Sequence, residues 1–166
     1  LNAARAKANA ALDVDGYNRG SDYSLPGFNP VHTELTHAAV RIDGTLPADL
    51  EGLYLRNGTN SPFDRTDSRR HMFNGAGMIH QVYISNGEAS YSNHYIKTPR
   101  YLAEAAAGRE LYIEFGDVAG GGKPALAKIA LSAIEQRTGL APAIDTLENS
   151  SVSTAIQFHH GKLYAL

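Results

Sequence analysis

Two runs of strand-forming residues, Met78 to Ser85 and Glu88 to Ile96, are separated only by the dipeptide Asn86-Gly87. Asparagine and glycine tolerate the two positive φ angles of a type I′ turn, and this turn matches the twist of paired antiparallel strands. The segment therefore predicts a long β-hairpin. It is the clearest hairpin in the sequence, and any fold of this chain has to contain it.

Further strands are predicted on both sides of this hairpin. Ala38 to Gly44 and Gly52 to Gly58 end in glycine-containing turns, and Val152 to Phe158 is followed by a turn at His159 to Lys162 and a last strand, Leu163 to Leu166. Strands dominate, and they do not alternate with helices as they do in parallel α/β folds. The predicted fold class is therefore all-β with helical insertions.

Two segments have helical character. Residues 2–12 are rich in alanine and predict a weak surface helix, which is followed by an irregular arm up to Pro30. A second helix is predicted after the Gly120-Gly121-Gly122 run, at about residues 123–138. Its apolar side chains recur at helical spacing and form one stripe: Leu126, Ile129, Ala130, Ala133 and Ile134.

Composition excludes several classes of function. The net charge of −2 and the scattered basic residues argue against a nucleic-acid partner. The absence of cysteine excludes disulfides and thiolate metal sites. No apolar run reaches the ~18 residues of a membrane-spanning helix. The protein is therefore expected to be soluble or peripheral to a membrane. Composition leaves its compartment open, since a chain without cysteine fits any compartment, and the cytosol or a plastid is the expected location.

Seven histidines raise the question of a metal site. His159 and His160 are adjacent and predicted to lie in an exposed turn, which does not suit joint chelation. His80 and His94 flank the Asn86-Gly87 turn and are predicted to be cross-strand neighbours, a polar pair without a third ligand. The spacing therefore predicts no metal site in this chain. Nucleotide-binding and serine-hydrolase motifs are also absent, because Gly75-Ala76-Gly77 lacks a third glycine and a following helix.

Five segments resemble, in the same order, those of the carotenoid cleavage oxygenases, a family that includes lignostilbene-cleaving members. Residues 53–62 (LYLRNGTNSP) and 71–80 (HMFNGAGMIH) are similar to its two signature motifs, although Asn74 and Ala76 replace the usual aspartates. Residues 44–52, 95–98 and 153–166 are similar to flanking family segments. The chain is identified as resembling the amino-terminal part of such an enzyme.

The resemblance implies a seven-bladed β-propeller, with residues 1–30 as an amino-terminal helix and arm and residues 31–166 as the first, incomplete part of the propeller domain. It also implies a Fe(2+) ion held by four histidines, with dioxygen as co-substrate, and oxidative cleavage of a carotenoid or apocarotenoid double bond. The iron histidines are expected downstream of Leu166. No catalytic or metal residue is therefore assigned within this segment, and the segment alone is expected to be inactive.

Two residues match family positions that line the substrate cavity. Phe73 matches an aromatic cavity residue, with ordinary core packing as the alternative. Phe115 matches a position where stilbene-cleaving members carry a tyrosine that binds the substrate phenol. Phenylalanine has no hydroxyl group, so Phe115 favours an apolar carotenoid substrate. Cleavage of a stilbenoid and a non-catalytic binding propeller are the alternatives.

The helix at residues 125–137 lies where carotenoid-cleaving relatives carry an insertion that touches membranes. Its apolar stripe of Leu126, Ile129 and Ile134, with Lys123 and Lys128 nearby, fits peripheral membrane contact. Packing of the same stripe onto the propeller is the alternative.

Overall fold

The computed structural model describes residues 2–12, 29–63, 71, 73–118, 122–145 and 148–166. The predicted arm at 13–28 and two of the three consecutive glycines, Gly120 and Gly121, lie outside these residues. The elements are, in chain order, α1 (Asn2–Leu12), β1 (Leu35–Ala39), β2 (Gly52–Asn60), β3 (Ala76–Ser85), β4 (Glu88–Tyr95), α2 (Pro99–Ala107), α3 (Phe115–Val118), α4 (Gly122–Arg137), β5 (Ile156–His159) and β6 (Lys162–Ala165).

The main sheet has four antiparallel strands in the order β1-β4-β3-β2. The hairpin predicted from Asn86-Gly87 is confirmed as β3 and β4, and both turn residues have positive φ, 52° and 76°. β2 pairs with β3 along its whole length, from Gly52 opposite Ile84 to Asn60 opposite Ala76. The hairpin is therefore the centre of the sheet.

The first strand was predicted too far along the chain. β1 covers Leu35–Ala39, and Arg41 to Gly44 are outside it. Side chains of β4 decide its position: Asn93 Oδ1 accepts a hydrogen bond from the Leu35 amide at 2.8 Å, and Ser92 Oγ accepts one from the His37 amide at 3.0 Å. The register shifts between Leu35 and Ala38. Such partners are not visible in the local sequence of the strand.

The predicted second hairpin is confirmed as the two-stranded sheet β5-β6, turned at His160 and Gly161, whose φ angles are 47° and 72°. Its first strand begins at Ile156 rather than Val152. The preceding residues bond elsewhere, because the Asn57 side-chain amide donates to the carbonyls of Val152 and Ala155, at 2.8 and 3.2 Å. Asn57 thus holds the start of the hairpin against β2.

Two helices were not predicted, α2 and α3. The signals for α2 are present in the sequence: Thr98 caps the helix by accepting from the Tyr101 amide, Pro99 occupies its first turn, and Gly108 ends it in the left-handed conformation. α1 and α4 form where the sequence predicted them. Within the described residues, no helix combines the length and apolar character needed to cross a membrane.

Most of the buried apolar residues in the described part of the chain belong to two small clusters. The first contains Ala76, Met78 and Tyr95, with Tyr101 packed against it. The second contains Leu111, Tyr112 and Ala141. Polar and charged side chains are more numerous than apolar ones at the remaining buried positions, and several of them form ion pairs and hydrogen bonds between elements.

Candidate functional site

Phe73 and Phe115 line one cavity of about 400 Å³, which lies between the loop before β3 and the start of α3. Their ring centroids are 5.9 Å apart with an interplanar angle of 56°. Both side chains are accessible, at 50% and 62% exposure, so neither is buried in a core. The structure brings together the two aromatic residues selected from the sequence, while their role in substrate binding remains a prediction.

His71 adds a third ring to this pair, a role the sequence analysis missed. Its centroid lies 5.9 Å from that of Phe115 in a stacked arrangement, and 5.5 Å from that of Phe73. The Phe73 amide also donates to His71 Nδ1 at 3.2 Å. The signal in the sequence for this contact was the short separation of His71 and Phe73, which are two residues apart in the chain.

Arg100 contributes a positive charge to the wall of the cavity. It is 9% exposed and lies between two buried carboxylates: its Nε is 3.5 Å from Glu104 Oε2 and its Nη2 is 3.0 Å from Glu114 Oε1. Its guanidinium carbon is 5.9 Å from the centroid of the Tyr112 ring. Glu104 also accepts from the amides of Leu111 and Tyr112, at 3.1 and 3.3 Å. These bonds compensate the desolvation of a buried charge.

A second ion pair lies beneath α3. Lys128 of α4 pairs with Asp117, and their side chains are 1% and 0% exposed. Asp117 Oδ2 also accepts from the Glu114 amide at 3.0 Å. α4 is therefore bonded to the segment that carries Phe115.

A third buried ion pair holds α1 on α4. Arg5 pairs with Glu135, and its Nη2 also donates to the Leu111 carbonyl at 3.3 Å. Arg109 approaches the same carboxylate at 3.7 Å. The predicted surface helix α1 is thus attached through a charged side chain, since it has little apolar surface.

α4 buries its polar side and exposes its apolar stripe. Its buried residues are Ala125, Lys128, Ser132 and Glu135. The exposed fractions of Leu126, Ile129 and Ile134 are 67%, 44% and 45%. Packing of the stripe is not observed within the described part of the chain. Lys128 is also unavailable to a lipid headgroup, because its ammonium group is paired with Asp117.

Tyr95 is the last residue of β4 and is buried against Ala76 and Met78. Burial, together with the nearby Tyr101 and Glu34, raises its pKa to about 12, although the hydrogen bond from Asn60 opposes the change. The phenol therefore stays protonated, and its single O–H proton is shared between the carbonyls of Val31 and Ser61, at 3.3 and 3.2 Å. It fixes the strand that leads into the Phe73 loop.

The histidines of the hairpin do not form the predicted pair. His94 lies opposite Ile79 and His80 opposite Asn93, so the two rings project from opposite faces of the sheet. His80 Nδ1 instead bonds the Tyr91 hydroxyl at 2.6 Å, and its pKa is lowered by burial and by Arg56.

His159 and His160 are exposed, as predicted, with ring centroids 4.3 Å apart. In the described part of the chain, no three His, Asp or Glu side chains are grouped closely enough to hold a metal ion. An iron centre therefore does not fit the residues described here.

Residues 28–166 match the family model for the retinal pigment epithelial membrane protein. The chain belongs to that family. The resemblance to carotenoid cleavage oxygenases, found in the sequence motifs, is thereby confirmed. The match includes the Phe73 loop, α3, α4 and both hairpins.

Curated members of the family include plant dioxygenases. Carotenoid 9,10(9',10')-cleavage dioxygenase 1 of Arabidopsis thaliana is 34% identical over 152 residues, which cover 87% of this chain and 27% of that protein. The chloroplastic 9-cis-epoxycarotenoid dioxygenase NCED6 of the same plant is 34% identical over 142 residues, which cover 84% of this chain and 24% of that protein. The chain thus spans about a quarter of the length of these relatives.

The fold is shared with a solved family enzyme. The crystal structure of Pseudomonas brassicacearum lignostilbene dioxygenase matches 92% of this chain with a TM-score of 0.65, at 22% sequence identity, and the match covers 28% of that enzyme's chain. The hairpins and helices described here therefore share the fold of the matching part of that structure. The low identity limits this likeness to the fold.

Proposed function

We propose that this chain is the amino-terminal part of a non-haem iron(II) dioxygenase that cleaves a double bond of a carotenoid or apocarotenoid. The observation that carries the proposal is the family match over residues 28–166, supported by 34% identity to a carotenoid cleavage dioxygenase. The reaction breaks one C=C bond and places one oxygen atom of dioxygen on each carbon, which gives two carbonyl products. Atoms and electrons balance without a further reductant.

The proposed architecture is a seven-bladed propeller, in which residues 1–30 form a helix and arm and residues 31–166 supply the first strands. The four iron histidines are proposed to follow residue 166. The contribution proposed for residues 71–118 is part of the wall of the substrate cavity, which Phe73, Ile113 and Phe115 line. Three rings, those of His71, Phe73 and Phe115, offer faces against which a conjugated chain can pack.

The complete protein, loaded with Fe(2+), is expected to convert a β-apocarotenal into two carbonyl products. Under ¹⁸O₂, mass spectrometry should find one labelled oxygen atom in each newly formed carbonyl. Removal of the metal with a chelator should abolish turnover. Turnover of a hydroxystilbene alone would refute the carotenoid assignment, and binding without cleavage of either compound would favour a non-catalytic propeller.

The side chain of Phe115 distinguishes the two candidate substrates, a carotenoid and a stilbenoid. It presents a phenyl ring next to His71 and Phe73 and has no hydroxyl group to bind a phenol. An apolar chain fits this wall better than a phenolic ring that needs a hydrogen-bond partner. This favours a carotenoid over a stilbenoid substrate.

We also propose that residues 125–137 contact a membrane from which an apolar substrate enters. Three large apolar side chains of α4 are exposed together, and Lys123 is exposed at the start of the helix. Burial of such a stripe in the headgroup region is favourable in proportion to its apolar area.

The double substitution Leu126→Ser/Ile129→Ser is expected to reduce flotation of the complete protein with phosphatidylcholine vesicles by about tenfold, because it removes most of the apolar area of the stripe. Ala106→Ser/Ala107→Ser is the control, because these alanines are exposed on α2 and lie outside the stripe, and it should float as the parent protein does. Equal flotation of all three proteins would exclude α4 as the contact.

A further inference from the structure

The two rings of the cavity come from different segments, and neither is held by a packed core. Phe73 lies in the loop before β3, and Phe115 is the first residue of α3, a helix of four residues. Both side chains are at least half exposed. Contacts between the backbone segments that carry the two rings therefore determine how far apart the rings lie.

One carboxylate oxygen joins these two backbones. Glu114, 8% exposed, directly precedes Phe115, and its Oε1 accepts from the Gly75 amide at 3.1 Å, two residues after Phe73. The same oxygen accepts from Arg100 at 3.0 Å. Charge-assisted bonds of this kind are about twice as strong as neutral ones. Glu114 thus connects the backbone segment of Phe73 to that of Phe115.

A second bond runs in the reverse direction across the same gap. The Gly116 amide donates to Asn74 Oδ1 at 3.3 Å, so the residue after Phe115 bonds the residue after Phe73. Gly75 itself is restricted, because its φ is 110° and a Cβ atom there would lie 2.9 Å from the Asn60 carbonyl group. The Phe73 loop therefore lies directly against the end of β2, and the bonds of Glu114 and Asn74 connect α3 to this loop.

We infer that Glu114 is a positioning residue that sets the separation of Phe73 and Phe115 and hence the width of the apolar cavity. Asn74 assists it, and the Asp117–Lys128 ion pair anchors the same segment to α4. The inference rests on the proposed function, because it assigns this pair of rings to the substrate. Glu114 itself lies in the wall of the cavity. The role inferred for it is to act through the two phenylalanines, whose segments it joins.

The test is a comparison of three variants of the complete protein. Glu114→Ala removes both bonds of Oε1 and is expected to raise KM for a β-apocarotenal about tenfold, with kcat within about twofold of the parent value. Glu114→Gln keeps an oxygen that accepts from Gly75 and should restore KM to within about threefold of the parent. Glu148→Ala removes an exposed carboxylate and should leave both constants unchanged.

A purely structural role gives a different result. Loss of folded protein lowers the apparent kcat and leaves KM unchanged, and that outcome for Glu114→Ala would overturn the inference. If Glu114→Ala does not fold, Asn74→Ala decides, because it removes the second bond without changing a charge. A higher KM in that variant supports the inference, and an unchanged KM overturns it.

A binding titration separates this inference from the proposed function. The visible absorbance of the β-apocarotenal reports its binding whether or not it is cleaved. If the parent protein binds but does not cleave, the proposed function fails, and a Kd that is about tenfold higher for Glu114→Ala still supports the positioning role. An unchanged Kd overturns it.

Discussion

Replacement of Lys128 by methionine is expected to lower the free energy of unfolding of the complete protein by about 3–5 kcal/mol. The side chain is 1% exposed and its ammonium group pairs with Asp117, which is 0% exposed. The substitution keeps much of the side-chain volume but removes the cation, and it leaves a carboxylate buried without the partner that the structure gives it. Urea denaturation, compared through the transition midpoint, measures the loss.

Two controls isolate the ion pair. Lys128→Met/Asp117→Asn removes both charges and keeps an oxygen for the Glu114 amide, so it should recover most of the lost stability. Lys123→Met removes an exposed lysine from the same helix and should change stability by no more than about 0.5 kcal/mol. A Lys128→Met protein as stable as the parent would show that the pair contributes nothing.

Gly77→Ala is expected to lower the free energy of unfolding by about 2–3 kcal/mol. A Cβ atom at this position would lie 2.5 Å from the Val152 carbonyl oxygen and 2.9 Å from that of Ser151. Both are backbone atoms, which cannot move aside as a side chain does. The Gly77 amide also donates to the Ser151 carbonyl at 2.8 Å, so the close approach is part of the sheet's contact with the second hairpin.

Gly58→Ala is the matched control for this prediction. Gly58 lies on the neighbouring strand, and no heavy atom lies within 4 Å of the Cβ position. Alanine there should be neutral or stabilising by about 0.5–1 kcal/mol, because it restricts the unfolded chain. The melting temperature of Gly77→Ala should therefore fall, and that of Gly58→Ala should stay the same or rise. Equal melting temperatures would contradict the close contact at Gly77.

Local sequence patterns predicted the turns and helices whose structure depends mainly on residues that are neighbours in the chain. Asn86-Gly87 fixed a two-residue turn, and the alanine-rich start and the segment after Gly122 formed helices within a residue or two of the predicted bounds. β1 was misplaced because Ser92 and Asn93, on a strand far along the chain, bond its backbone. α2 was missed although its capping residues were present, because strand patterns dominated the interpretation.

Which side of α4 is buried could not be predicted from the helical spacing of its apolar residues. The spacing of Leu126, Ile129 and Ile134 identified an apolar stripe, but the structure buries Lys128, Ser132 and Glu135 on the other side. Whether a helix packs by its apolar or polar side depends on the partner surface. Here Asp117 and Arg5 supply opposite charges that meet Lys128 and Glu135. No pattern within the helix itself contains that information.

The sequence by itself determined the family, the central hairpin and the two phenylalanines of the cavity, because motifs and turn chemistry depend on residues that are near one another in the chain. Only the tertiary structure decided that Phe73 and Phe115 meet, that His71 joins them, and that one oxygen of Glu114 joins their two segments. These are contacts between distant segments. The Glu114 contact, in particular, involves buried charges that are compensated only when the chain is folded.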